Sequence, residues 1–175
     1  MKNNFIALIF TAAIIAPSAG AFATDAASIK FTGKIAVAGC TVAVNDKSNN
    51  ESMDMGTIDM SALSVGESTE EYRFYVDLSG CPSSIGTARA RFTGTASSGG
   101  NQFFAVNGNN SANVGLEIKN LDGNIVKPNS DDNHNVAIGT DGTAKFTYSA
   151  QLVKLTNAVA ASDFDVSAGI NIIYE

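Results

Sequence analysis

The chain is 175 residues long, with 11 Lys and Arg against 17 Asp and Glu, a net charge of −6 and one histidine. A weakly charged acidic chain does not suit nucleic acid or an anionic membrane, since both attract a basic face and here Arg89 and Arg91 stand almost alone. One histidine leaves few routes to catalysis, and a zinc site takes about four ligands.

Met1-Lys2 supplies a positive start, Phe5 to Ile15 is an apolar run, and Ala21-Phe22-Ala23 has the small-x-small pattern of a signal-peptidase site. Residues 1–23 are therefore expected to be a secretory signal peptide cleaved after Ala23, because the run is too short to span a bilayer comfortably. The mature chain, Thr24–Glu175, suits one domain with a real core. Its two cysteines, Cys40 and Cys81, lie beyond the signal. In an exported chain they point to one disulfide, with a pair of free thiols or a metal site as the alternatives. A disulfide enclosing a loop of about 40 residues would stabilise the fold by roughly 4 kcal/mol.

The mature chain opens on an alternating stretch, Ser28–Val42. Ile29, Phe31, Gly33, Ile35 and Val37 fall on one side of an extended strand, and Lys30, Thr32, Lys34 and Ala36 on the other. Gly33 sits in the middle of the apolar row, where a strand glycine marks the close approach of another backbone. Asn45–Ser52 reads as a polar loop and Ser52–Met60 as a weak alternation through Met53, Met55 and Ile58. Glu70–Ser79 is a stronger strand, with Tyr72, Phe74, Val76 and Leu78 on one face, and Cys81-Pro82 ends it. Thr87–Thr95 alternates through Ala88, Ala90 and Phe92, and Phe103–Val106 is a short apolar run. Val114–Ile118 is a strand followed by an Asp122-Gly123 turn, and Asn129–Asn135 reads as solvated. Asp141-Gly142 marks a turn before Ala144–Leu155, a long strand with Phe146, Tyr148, Ala150 and Leu152 on one face. The chain closes on Val166–Tyr174, where Ala168, Ile170, Ile172 and Tyr174 alternate. Short alternating runs without a helical period point to an all-β sandwich or barrel.

Few residues suggest catalysis. A Ser–His–Asp triad could use only His134, which lies in the loop-like NSDDNHN and reads as solvent-exposed. Asp131, Asp132, Asn133 and Asn135 lack the glycine and distal glutamate of an EF-hand loop, so no calcium site is expected. Tyr72, Phe74, Phe103 and Phe104 read as core aromatics rather than a sugar site. No catalytic residue, metal ligand or cofactor is assigned.

The opening and closing strands, the export signal and the cysteine placement together resemble the subunits of bacterial chaperone–usher pili, the type 1 and P pilus families. The residues that carry the resemblance are IKFTGKIAVAGCTV at Ile29–Val42 and YRFYVDLSGC at Tyr72–Cys81. NVGLEIKNLDG at Asn113–Gly123, AKFTYSAQL at Ala144–Leu152 and the terminal INIIYE at Ile170–Glu175, with its penultimate tyrosine, complete them. Members often carry a glycine shortly before the last strand, where Ser162 stands here.

The resemblance implies an all-β, incomplete Ig-like sandwich lacking its final strand, with an N-terminal donor-strand extension. The chain then divides into the signal peptide (1–23), the extension (24–37) and the pilin domain (38–175). The donor residues would be Ile29, Phe31, Gly33, Ile35 and Val37. The groove that receives first a chaperone strand and then a neighbour's extension would be lined by Ala168, Ile170, Ile172 and Tyr174. Cys40 and Cys81 match the family disulfide. The expected partners are a periplasmic chaperone, an outer-membrane usher and neighbouring pilus subunits stacked head to tail, with no nucleic acid. The expected destination is the cell-surface fimbrium, reached through the periplasm. The function implied is a non-enzymatic structural subunit that supports adhesion. The alternative is a minor tip or adaptor subunit, or an adhesin with a ligand-binding role. A secreted β-sandwich enzyme or inhibitor would instead be a complete sandwich that folds alone.

Overall fold

Strictly alternating segments build this fold wherever a partner strand lies within reach, and the longest of them hold its centre. The computed structural model describes residues 39–47 and 51–175, together with Lys30. In chain order the strands are β1 (Thr41–Val44), β2 (Tyr72–Ser79), β3 (Thr87–Thr93), β4 (Ala96–Ser97) and β5 (Gly100–Ala105). A short 3-10 turn at Gly108–Asn110 precedes β6 (Val114–Asn120), β7 (Ser130–Asp131), β8 (Val136–Ala137), β9 (Ala144–Lys154) and β10 (Gly169–Tyr174).

Two antiparallel sheets result. The larger runs β1-β2-β9-β6-β5-β4, and the smaller runs β10-β3-β7 with β8 also on β3. β9 is the spine of the larger sheet: its first part pairs with β2 and its second with β6. The alternation expected for β2 and β9 becomes the inner face of that sheet. Phe74, Val76 and Leu78 from β2 meet Phe146, Tyr148 and Ala150 from β9, all buried. From the smaller sheet, Ala88, Ala90 and Phe92 of β3 close the core. Tyr148 stacks on Phe74 with centroids 5.5 Å apart and meets the edge of Phe92 at 4.9 Å, offset and T-shaped geometries that aromatic pairs favour. Phe103 and Phe104 are buried too, as expected of core aromatics.

Two segments depart from the sequence expectation. Residues 51–67 form no ladder, although Ser52–Met60 alternates; the following Ser68 makes one bridge, to Val153. The carboxylates of Asp54 and Asp59 accept the N–H groups of Gly56 and Ser61 at 2.8 Å each, and such local bonds compete with strand pairing. The segment is held from outside instead. Tyr72 donates its hydroxyl to the Met55 carbonyl at 2.9 Å, and Lys154 donates Nζ to the Met60 and Leu63 carbonyls at 3.2 and 2.8 Å.

The second departure is Asn129–Asn135, which is not simply solvated. Asp132 is 3% exposed. Its carboxylate accepts from the Tyr148 hydroxyl at 2.9 Å, from Asn120 Nδ2 at 2.8 Å and from the His134 N–H at 3.1 Å. Its own N–H donates to the Ala90 carbonyl at 2.8 Å. A buried carboxylate is tolerable only when so surrounded by donors. His134 is drawn inward with it, and its Nδ1 lies 2.7 Å from Asp122 Oδ2.

Candidate acceptor groove

The last strand, β10, pairs with β3 from Gly169 opposite Thr93 to Tyr174 opposite Ala88. Among the described residues, no strand pairs its other edge. Glu175 exchanges two backbone bonds with Thr87, at 2.9 and 3.0 Å. In an antiparallel ladder such bonded pairs alternate with unbonded ones. The backbone groups of Gly169, Asn171 and Ile173 therefore turn towards β3. Those of Ile170, Ile172 and Tyr174 turn towards the open edge.

The same residues carry the inward side chains. Ala168, Ile170, Ile172 and Tyr174 all pack against the main core yet remain half-buried. Across the ladder, Phe92 and Ala90 are 1% and 0% exposed. An inner face that is sealed on one strand and half-open on its neighbour marks a sandwich whose layer stops short.

A second lip stands opposite. Cys40, Val42 and Val44 at β1 are half-buried against the same core. Farther along, Met55, Ile58 and Met60 of the 51–67 segment, together with Val159, Phe164 and Val166, cover a smaller buried cluster of Val106, Val114 and Leu152. The two lips meet at one end, where the Cys40 N–H donates to the Tyr174 hydroxyl at 3.1 Å. Gly39 makes the approach possible, since a Cβ there would come within 3.2 Å of the tyrosine ring. Cys40 is bonded to Cys81 with an S–S distance of 2.03 Å, so this end is fastened to the neighbouring end of β2, with which β1 pairs.

A family model described as "Fimbrial protein" matches residues 29–175. The chain belongs to the fimbrial protein family. Solved structures agree on the fold. The P pilus rod subunit PapA matches with a TM-score of 0.65 and 23% identity, over 79% of this chain and all of that one. A chaperone–usher pilus structure also gives 0.65, at 22% identity over 86% of this chain and 96% of that one. The P pilus adaptor subunit PapF gives 0.55, at 21% identity over 81% of this chain and 100% of that one. No curated protein matches the chain.

In this fimbrial protein all four residues expected to line a groove, Ala168, Ile170, Ile172 and Tyr174, fall together on one inward row. The expected pairing of Cys40 with Cys81 is present. The expected donor residues Ile29, Phe31, Gly33, Ile35 and Val37 lie outside the described residues, as does the expected signal peptide. Sequence reasoning assigned no packing role to Met55, Ile58, Met60 or Phe164, which cover the smaller cluster of Val106, Val114 and Leu152. The signal was there for the first three, in the alternation of methionine and isoleucine with aspartate through Met53–Met60. Ser162 also has a local use: its hydroxyl accepts from Asn110 Nδ2 at 3.0 Å. Asn110 further bonds the Ala160 carbonyl and N–H at 2.7 and 3.0 Å, which fixes the approach to the last strand.

The site's charges are structural. At the C-terminal end of β10, Arg89 lies 3.4 Å from Glu175 and 3.7 Å from Asp131. Burial, with the Asp132 carboxylate adding to it, raises the Tyr148 hydroxyl well above the usual tyrosine range, so it stays a donor. Among the described residues, no group of three or more His, Cys, Asp or Glu side chains is placed to hold a metal ion. No helix among them is long and apolar enough to cross a membrane.

Proposed function

We propose that this chain is a structural subunit of a chaperone–usher fimbria and that it polymerises by donor-strand exchange. The observation that carries this reading is β10. Its inward row of Ala168, Ile170, Ile172 and Tyr174 is half-open, and the backbone groups of three of these residues face an unpaired edge. An added strand would satisfy those groups and bury the row at once, which is how β-augmentation gains both affinity and specificity. Residues 24–37 of one subunit would supply that strand to the next, after a periplasmic chaperone has held the groove. Burying four large apolar donor side chains is worth roughly 6–12 kcal/mol before ordering costs. Contacts of this head-to-tail kind do not close, so they build a fibre at the cell surface, assembled through an outer-membrane usher. Until filled, an open edge is an aggregation hazard, which accounts for the chaperone.

The decisive experiment removes residues 24–37 from the mature chain. The shortened subunit is expected to accept a strand, and so to cap a growing polymer, but never to extend one. Polymers of normal length from the shortened subunit alone would reject the donor assignment.

A further inference from the structure

Residues 156–165, which lead towards β10, form no strand, yet their backbone is held by side chains. The holders are three asparagines spaced by three, Asn107, Asn110 and Asn113. The turn at Gly108–Asn110 continues through Asn113, whose N–H donates to the Asn110 carbonyl at 2.9 Å. A backbone with about three residues per turn brings such positions onto one side. Asn113 donates Nδ2 to the Ala158 carbonyl at 2.9 Å and accepts the Thr156 hydroxyl at 2.7 Å. Asn110, itself buried, donates Nδ2 to the Ala160 carbonyl at 2.7 Å and accepts the Ala160 N–H at 3.0 Å. Asn107 donates its own N–H to the Asp165 carbonyl at 3.1 Å and accepts the Asp165 N–H on Oδ1 at 2.9 Å.

Asn110 and Asn107 thus each exchange two bonds with a single residue of the segment, the pattern of a bonded pair in an antiparallel ladder. They take the place of a partner strand beyond the end of β3. The effect is visible in the burial. Phe164, Val166, Ala168, Ile170 and Ile172 are half-buried, while Asp165, Ser167, Gly169 and Asn171 are exposed. The alternation of the last strand therefore begins at Phe164, ahead of its first paired residue, Gly169. The hold on the segment is light, however. Residues 157, 158 and 160–163 are exposed, and the apolar side chains that reach the cluster of Val106, Val114 and Leu152 are Val159 and Phe164. Segments with so few buried apolar contacts open at a lower free energy than the whole domain.

We propose that Asn107, Asn110 and Asn113 are positioning residues that hold 156–165 as a strap. The strap opens and closes as one unit while the sandwich stays folded, and its closed state starts the inward row at Phe164 rather than at Ala168. The opening stands on the bonds above, whereas its effect on strand capture rests on the acceptor reading of β10. A captured strand meets a longer row when the strap is closed, so capture and the asparagines favour the same state.

Native-state hydrogen exchange on the full mature chain tests this through the amides of Ala160 and Asp165, the two bonded to Asn110 and Asn107. In the natural chain both are expected to exchange at least about tenfold faster than the amides of the β2–β9 ladder, and with little response to low urea, because a local opening exposes little surface. Asn113→Ala removes a side chain that bonds neither amide. It should nevertheless speed both by about tenfold, as the loss of one or two net hydrogen bonds predicts, and leave the β2–β9 ladder unchanged. Exchange of both amides at the ladder's rate in the natural chain would overturn the strap, and that comparison needs no variant. Unaltered exchange in a folded Asn113→Ala chain would overturn the single unit. Saturation with a synthetic peptide of residues 28–38 should slow both amides. A peptide that binds without slowing them would overturn the strap's part in capture. A peptide that does not bind would overturn the acceptor reading, and with it that part, while the opening itself is still read from the exchange rates.

Discussion

The Tyr174 hydroxyl accepts the backbone N–H of Cys40 at 3.1 Å, a bond between residues 134 positions apart. It ties the last strand of the smaller sheet to the residue that anchors the disulfide beside the larger one. Tyr174→Phe keeps the ring and deletes only the acceptor. The variant should lose about 0.5–1.5 kcal/mol, the usual worth of one such bond. The reading is a lower urea midpoint with an unchanged slope, since no additional surface is exposed on unfolding.

Breaking the disulfide should cost more. Cys40 and Cys81 are 41 positions apart, and closing a loop of that size is worth roughly 4 kcal/mol in the chain-entropy account. Urea unfolding with and without reductant measures it. Cys40→Ser should also lower the yield of exported protein. Unchanged yield and midpoint would show that the bond adds nothing.

Tyr148 should govern the alkaline limb of stability. Its hydroxyl is held protonated in the folded chain by burial and by Asp132, whereas an unfolded tyrosine ionises near pH ~10. The unfolded state therefore releases a proton that the folded state keeps. The contribution is fully present below pH ~10 and falls above it by about 1.4 kcal/mol per pH unit. Tyr148→Phe should flatten that limb, measured as the pH dependence of the urea midpoint between pH 8 and 11, values that bracket the tyrosine range of about 10. The Phe variant should also be less stable at neutral pH, because Asp132 loses a buried donor.

Neighbouring positions on β10 should behave oppositely in strand capture. Ile172 faces inward and Asn171 outward. Ile172→Ala should weaken binding of the 28–38 peptide by about tenfold or more, since trimming a buried isoleucine removes on the order of 1.5–3 kcal/mol. Asn171→Ala should leave the affinity essentially unchanged. Fluorescence anisotropy titration distinguishes the two, and equal losses would mean that the strand is not read through its inner face.

Much of this was legible because strands announce themselves by period. Tyr72–Ser79 and the Ala144–Ala150 part of the long strand alternate, and each lies in a central strand with its apolar row in the core, whereas the end of that strand, from Ala150 to Lys154, is buried on both faces. Val166–Tyr174 alternates as well, and the inward identity of Ala168, Ile170, Ile172 and Tyr174 could be read from spacing alone. The resemblance correctly paired the cysteines. Asp132 could not be read, because a buried carboxylate in a polar run is recognisable only once Tyr148, Asn120 and His134 are brought to it. Met53–Met60 misled in the other direction. It alternates like a strand, but its aspartates bond their own backbone, and its carbonyls are bonded by Tyr72 and Lys154 from elsewhere in the fold.

The amino-acid order alone thus determines which residues of the last strand face inward, since alternation is a local property of an extended backbone. It also places an apolar, lysine-bearing segment ahead of the domain. Only the tertiary structure decides that β10 lies at an edge, with β3 on one side and no strand among the described residues on the other. Whether a strand has a neighbour depends on every other segment of the chain, and no periodicity within the strand records it.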